Sequence, residues 1–324
     1  MKYNGISEYL HNINMKLIIT KNDANQRLDK FLRKKIKTIS LSLIYKLIRK
    51  GKITINGKKI NDQKYFLQEN DQLEIIDELK SHNYYTERLV KPTTLKNVDV
   101  IYENDNIMII NKQNRMSVHG FEDSLDNQVQ WMLKNQIEKS TFKPTHVHRL
   151  DRDTTGCIVY AKSHDAAVLL NREIKTLEKE YLVIVENELK QEIRQDGYLK
   201  NIGEKMVVTD HSENTQAFSQ TITPVACENN FSLLRVHIHT GKKHQIRAGL
   251  ASIGFPVVGD MRYGHAEGPT GIFLHAYRIY FPDTLVDKLE LSKNIYVARV
   301  PAFWNNFCFN NNLRLIKEKL NEQY

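Results

Sequence analysis

Positive charge is segregated along this chain, and the segregation calls for at least two structural units. Between Lys21 and Ile60 stand thirteen Lys or Arg against two acids, Asp23 and Asp29, a surplus larger than the +9 carried by all 324 residues. The remainder is therefore slightly acidic in balance. A basic module ahead of a near-neutral body points to a polyanionic partner, either nucleic acid or an anionic membrane. The length allows one large domain plus a smaller one. A hydrophobic content of 41% is that of a chain able to bury a core.

Inside the basic segment, apolar residues recur at helical spacing. Asp23 and Gln26 are placed for a capping box ahead of Leu28, Phe31, Leu32 and Ile36. A second helix starts at Ser40 or Ser42, carries Leu43, Ile44, Leu47 and Ile48, and stops at Gly51. Ile53 and Ile55 alternate ahead of Asn56-Gly57, a type I′ hairpin signal, and "DQLEII" adds a short strand. With apolar stripes turned inward, Arg27, Lys34, Lys46, Arg49, Lys50 and Lys52 become the candidate phosphate contacts. Like charge at this density is unfavourable unless a polyanion neutralises it. The charged faces lack the Trp and Phe of an interfacial helix, which favours nucleic acid over membrane.

No run approaches the ~18 apolar residues that span a bilayer. The opening residues do not read as a secretory leader. Cys157, Cys227 and Cys308 lie far apart with no CxxC pair, against both a structural zinc site and a disulfide framework. A cytoplasmic protein is expected.

The body mixes short strands and helices without a regular βαβ repeat. "NVDVIYENDNIMIINK" reads as two strands around a turn, and "LDNQVQWMLKNQI" as a helix with the stripe Val129, Met132, Leu133 and Ile137. "CIVYA" and "FSLLRVHIH" are strands, and "EYLVIVE", apolar throughout, is a strand buried on both faces. Ser163 caps one further helix, and "TGKKHQIRAGLASIG" is a turn followed by a helix ending at Gly254. The expected class is α+β: a small N-terminal domain and a larger one on a mainly antiparallel mixed sheet with flanking helices. The expected divisions are an extension over 1–21, the basic module over 22–80, a linker over 81–96, the large domain over 97–310, and a C-terminal helix or tail over 311–324.

"HRLDRDTTG", His148 to Gly156, crowds charge directly before "CIVYA". Two HxH pairs, His146/His148 and His237/His239, have the strand spacing of metal ligands, with Asp151 or Asp260 able to complete a set. No Cys accompanies them and no HExxH occurs, so neither a metal nor a cofactor is expected. Asp151 and Asp153 could be paired carboxylates. Arg149 and Arg152 flank Asp151, however, which favours its ionised form and suits a nucleophile or base over a general acid. A salt-bridged turn is the competing reading.

The order of blocks narrows the choice. "RLDKFLRKKI", "SLIYKLIRKGKITINGKKI" and "LQENDQLEI" resemble the alpha-L RNA-binding domain first recognised in a ribosomal small-subunit protein. "MSVHG", "HRLDRDTTG" with Ala161-Lys162, "KEYLVIV", "TGKKHQIRAGLASIGFPVVGDMRYG" and "LHA" resemble, in order, the blocks of the RluA-type family of pseudouridine synthases. Within it the chain looks like the ribosomal large-subunit type C enzymes. The resemblance runs from Asn22 to about Trp304. It implies that Asp151 is the catalytic aspartate, that Tyr181 stacks on the target base, and that Arg247 pairs with Asp151. It also implies that Arg149 fills the gap left by a flipped nucleotide. His148, Lys242 and His244 are then framework or RNA contacts.

The sequence departs from the family at "KQNRM" (Lys112 to Met116), which lacks the usual proline and glycine. Lys242 replaces an arginine, Gly249 a histidine, Thr155 a serine, and Asn187 a turn glycine. What the resemblance implies is isomerisation of uridine in RNA, with 23S ribosomal RNA or a large-subunit precursor as partner and a monomeric enzyme. The alternatives are a catalytically silent ribosome-assembly factor, a synthase acting on tRNA, and an RNA N-glycosidase or metal-dependent nuclease.

Overall fold

The computed structural model describes residues 13–36, 39–77, 89–137, 142–264 and 271–313. The small domain holds β1 (Ile13–Ile18), α1 (Leu28–Lys35), α2 (Leu41–Arg49), β2 (Ile53–Ile55), β3 (Lys58–Lys59) and β4 (Gln72–Asp77). Its strands form one antiparallel sheet in the order β1-β4-β2-β3. Leu28, Phe31 and Leu32 of α1 and Ile44, Leu47 and Ile48 of α2 close its core against Ile53, Leu73 and Ile75. Ser40 caps α2 by accepting the Leu43 amide. Asn56 and Gly57 both take positive φ, 52° and 74°, as a type I′ turn requires.

Two expectations fail here. Strand β1 pairs with β4, so residues 13–21 belong to the small domain and are no extension; residues 1–12 lie outside the described residues. Asp23 and Gln26 form no capping box. Helix α1 starts at Leu28 without a side-chain cap, and Gln26 Nε2 donates instead to the Asp23 carbonyl. Residues 25–27 bridge the loop near Leu67, so tertiary pairing takes the backbone that a cap would have used.

The large domain continues with β5 (Val100–Glu103), β6 (Ile107–Lys112), α3 (Leu125–Met132), α4 (Lys134–Ile137), β7 (Thr145–His146), β8 (Thr155–Ala161) and α5 (His164–Glu173). Then come β9 (Glu178–Glu186), β10 (Ile193–Ile202), β11 (Lys205–Thr209), β12 (Thr215–Glu228), β13 (Phe231–Ile238) and α6 (Gln245–Ser252). The last described elements are β14 (Leu274–Tyr280), α7 (Asp283–Leu289), β15 (Ile295–Val297) and α8 (Ala302–Asn310). The long sheet runs β11-β10-β12-β13-β9-β14-β8-β6-β5, with β15 on β14 and β7 on β8. Every described pairing is antiparallel except β8 with β14. This is the mainly antiparallel α+β sheet that the sequence predicts.

Side chains alternate between two covered faces. Met108, Ile110, Ile158, Tyr181 and Val183 meet α3, α4 and α6 on one face. On the other, Ile107, Ile109 and Val159 meet α5 and α7, while Leu182, Ile184 and Phe273 meet α8. The helix expected over "LDNQVQWMLKNQI" breaks at Leu133. Its buried line is Leu125, Gln128, Val129, Leu133 and Ile137, leaving Met132 exposed. The end of the expected linker is pinned to the large domain: Gln128 Nε2 donates to the Thr94 carbonyl, and the Lys96 amide donates to Gln128 Oε1. Residues 81–88, and the tail beyond 313, lie outside the described residues.

Candidate active site

The loop between β7 and β8 carries Asp151, and almost every residue of "HRLDRDTTG" has a structural task. His148 Nε2 accepts the Val159 amide at 3.3 Å, and burial pushes its imidazole down to about 3. The ring is neutral and fixes the loop to β8, a framework role. Leu150 anchors in the core, and Arg149 and Arg152 point outward. Thr155 lies 2.8 Å from His275 Nδ1, whose Nε2 faces the Ala298 carbonyl at 3.2 Å. Gly156, with φ 109°, lets β8 meet β14: any Cβ there would overlap the Ala276 carbonyl. Ala276 in turn registers with Tyr181 on β9. The glycine thus brings the aspartate loop within two strands of the tyrosine.

Beneath the loop lies a residue whose role the sequence did not disclose. Lys112 is 1% exposed, and its Nζ donates to the carbonyls of Gln113, Met116 and Arg152 at 3.1, 2.8 and 2.9 Å. Burial pushes its ammonium down to about 7, against the pull of Asp153 and Asp151. It ties the end of β6 to the residue next to Asp151. Arg115, which stands at the glycine position of the family's usual turn, takes the left-handed region with φ 57°. Asn187, also replacing a turn glycine, takes φ 71° as its side chain allows.

Helix α6 delivers Arg247. Its Nη1 donates to Asp151 Oδ2 at 2.9 Å, while Nε and Nη2 grip Asp260 at 2.7 and 2.8 Å. Asp260 is buried, so one end of the fork is fixed. Asp151, 28% exposed at the side chain, is the open end. Tyr181 is nearly buried on the same sheet face as α6, and burial followed by the Asp151 charge pushes its phenol pKa up. Asp151, Arg247 and Tyr181 are therefore brought together.

The seat of α6 joins residues of the Thr240–Gly264 block to two glutamines, Gln195 and Gln220, that carry no sequence signal. Gln245 Oε1 accepts from Thr240 and from the Lys242 amide. Gln195 Nε2 donates to the Gly249 carbonyl, and Gln220 donates to Gln195. A Cβ on Gly249 would come within 2.7 and 2.8 Å of the Gln220 and Gln195 amide ends, which would have to shift. Lys242 is half-buried in the turn, and the His244 side chain is mostly buried with Nε2 3.7 Å from Asp151 Oδ2.

The histidine pairs do not converge with the aspartates. His146 Nδ1 lies 3.0 Å from Asp126, His239 lies 2.9 Å from Thr221, and Asp260 is taken by Arg247. In the small domain Lys46, Arg49 and Lys50 are exposed, and Lys52 is half-buried. Lys34 Nζ donates to Gln26 Oε1 at 2.8 Å. Arg27 is drawn back into a 2.7 Å pair with buried Asp29, itself bonded by Tyr45. No helix among the described residues is long and apolar enough to cross a membrane.

Comparison with known proteins fits this geometry. The family model described as RNA pseudouridylate synthase matches residues 106–252, and that of the S4 domain matches residues 26–73. An RNA pseudouridine synthase of Mycoplasma capricolum is 34% identical over 307 residues, covering 88% of this chain and 97% of that protein. Ribosomal large subunit pseudouridine synthase C of Escherichia coli is 31% identical over 285 residues, covering 81% and 87%. The solved human RNA pseudouridylate synthase domain containing 4 shares the fold, with a TM-score of 0.55 at 20% identity over 65% of this chain and 92% of that one. With both domains matched and a relative aligned over nearly its whole length, the chain belongs to the RNA pseudouridine synthases, a family of isomerases, and carries an N-terminal RNA-binding S4 domain.

Proposed function

We propose that the protein isomerises uridine to pseudouridine in 23S ribosomal RNA, acting as a monomer, with Asp151 as the reacting carboxylate. The observation that carries the reading is the Asp151–Arg247–Asp260 chain: one buried carboxylate fixes a guanidinium, which orients a second, accessible carboxylate. The name of the Escherichia coli relative supports a large-subunit substrate.

In this reading Lys46, Arg49 and Lys50 contact phosphates. That binding energy offsets the few kcal/mol needed to extrude a base from folded RNA. Arg149, exposed next to Asp151, occupies the space the nucleotide leaves. Asp151 either attacks the anomeric carbon or removes the 2′ proton. The bond from C1′ to the ring nitrogen breaks, the uracil turns, and C1′ joins carbon 5 as the Asp151 ester bond breaks or the 2′ proton returns. The hydrogen on carbon 5 then leaves as a proton, and the freed ring nitrogen takes one up. Tyr181 covers the ring and keeps the detached uracil in place.

RNA carrying tritium at uracil carbon 5 tests this. The expected result is tritium release from 23S transcripts, without chain cleavage or free uracil, and little from tRNA. Asp151→Ala lowers release by at least ~10³-fold. Full release by that variant would remove Asp151 from the chemistry, and preference for tRNA would overturn the substrate.

A further inference from the structure

His244 stands directly before α6 with φ 52° and ψ 19°, a backbone conformation that costs an L residue energy. Its ring lies between two groups. Nδ1 is 2.8 Å from the Tyr263 hydroxyl, and Nε2 is 3.7 Å from Asp151 Oδ2. The far side of Tyr263 decides the tautomer. The phenol oxygen accepts the Met206 amide at 2.7 Å, a group that can only donate. The phenol proton is thereby left for His244 Nδ1, which places the ring hydrogen on Nε2, facing the carboxylate. The opposite tautomer would set a nitrogen lone pair against a carboxylate oxygen.

Tyr263 is itself fixed. Its amide donates to Asp260 Oδ1 at 3.3 Å, and its ring centre is 5.2 Å from the Arg247 guanidinium carbon. Asp151, Arg247, Asp260, Tyr263 through its amide and its phenol, and His244 close into one circuit. Arg247 and His244 both address Asp151 Oδ2, while Oδ1 accepts no hydrogen bond from the described residues.

We propose that Tyr263 and His244 are a positioning pair: the phenol sets the histidine tautomer, and the Nε2–H helps Arg247 hold Oδ2 so that Oδ1 faces the ribose. The inference rests on Asp151 being the reacting group. A contact of 3.7 Å is long for a hydrogen bond, as such contacts often are before substrate closes the site. Burial pushes the His244 ring down to about 4, so it acts as a neutral donor at physiological pH.

Two readouts on the full chain test the pair. Nitrogen-15 NMR of the His244 ring reports its tautomer directly: Nε2–H is expected, moving toward Nδ1–H in Tyr263→Phe. Kinetics of His244→Gln and His244→Asn supply the second. Gln places an amide near the Nε2 position and Asn near Nδ1, whereas the positive φ suits Asn better than Gln. A structural role therefore favours Asn. Positioning instead predicts a kcat about tenfold higher for Gln than for Asn, at similar KM, although Asn is the more thermostable variant. An Nδ1–H tautomer in the natural protein, or equal kcat for the two variants, overturns the pair. If Asp151→Ala abolishes tritium release while Gln and Asn behave alike, only the pair fails; if Asp151→Ala is active, the reading of Asp151 fails with it.

Discussion

The two domains use the same cations for opposite purposes. In the small domain Lys46, Arg49 and Lys50 stand exposed on and just after α2, with no acid of the described residues paired to them. In the large domain Lys112 is buried and Arg247 nearly so, and both are held by directed hydrogen bonds: Arg247 grips two carboxylates, Lys112 three backbone carbonyls. An exposed cation interacts through a screened field, tolerant of position and sensitive to salt. A buried one acts through fixed geometry, and a shift of an ångström matters. In the proposed reading, binding strength resides in one domain and chemical precision in the other.

Substitutions can break this contrast, beginning with the guanidinium. Arg247→Lys keeps the charge but cannot hold Asp260 and Asp151 together, so kcat is expected to fall ~10²–10³-fold with KM little changed. An equal rise in KM would mean that Arg247 binds RNA as the surface cations do. Lys112→Met should lower stability by about 2–4 kcal/mol, because three carbonyls lose their donor, and should loosen the Asp151 loop. Denaturant unfolding beside kcat measures both.

The surface side of the contrast is sharpened by removing Lys46, Arg49 and Lys50 together. Here KM should rise while kcat holds, and the slope of log KM against log salt should flatten by about 2–3. Salt dependence identical to that of the natural chain would place the RNA contacts elsewhere.

Acid provides a fourth test. His148, pushed to about 3, and His275 and His244, pushed to about 4, are all held neutral first by burial. Their folded values lie below the unfolded value near 6.5, so the unfolded chain takes up protons first as pH falls. Their contribution is complete above pH 6.5 and is lost progressively toward pH 3–4. His148→Gln, which keeps an acceptor for the Val159 amide, should reduce that slope by one proton's worth in melts between pH 6.5 and 5. The smallest effect belongs to Arg115, whose positive φ is a strained position. Arg115→Gly should stabilise by about 0.5–1 kcal/mol, read as a higher Tm.

Local pattern made much of this legible. The Asn56-Gly57 turn, the Ser40 and Ser163 caps and the doubly buried β9 follow from signals within a few residues. Legibility failed where contacts are distant. Asp23 and Gln26 look like a cap until Leu67 pairs with the backbone of Asn25 and Gln26. Strands β10 to β12, over 193–228, escaped because much of their surface is polar and exposed, so their apolar alternation is weak. Nothing local marks Lys112 as buried, and Asp260 enters from the sequence only as a candidate metal ligand.

What the sequence by itself determined was the charge segregation, the order of the blocks and the α+β class; through the resemblance it also named Asp151, Tyr181 and Arg247 as candidates. Only the tertiary structure decided that Asp260 and Lys112 hold the site, that His148 serves the framework, and that Tyr263 faces His244. Segregation and periodicity are properties of neighbours along the chain. The partner of a buried polar group is chosen by which strands and helices come together, and no window of sequence contains it.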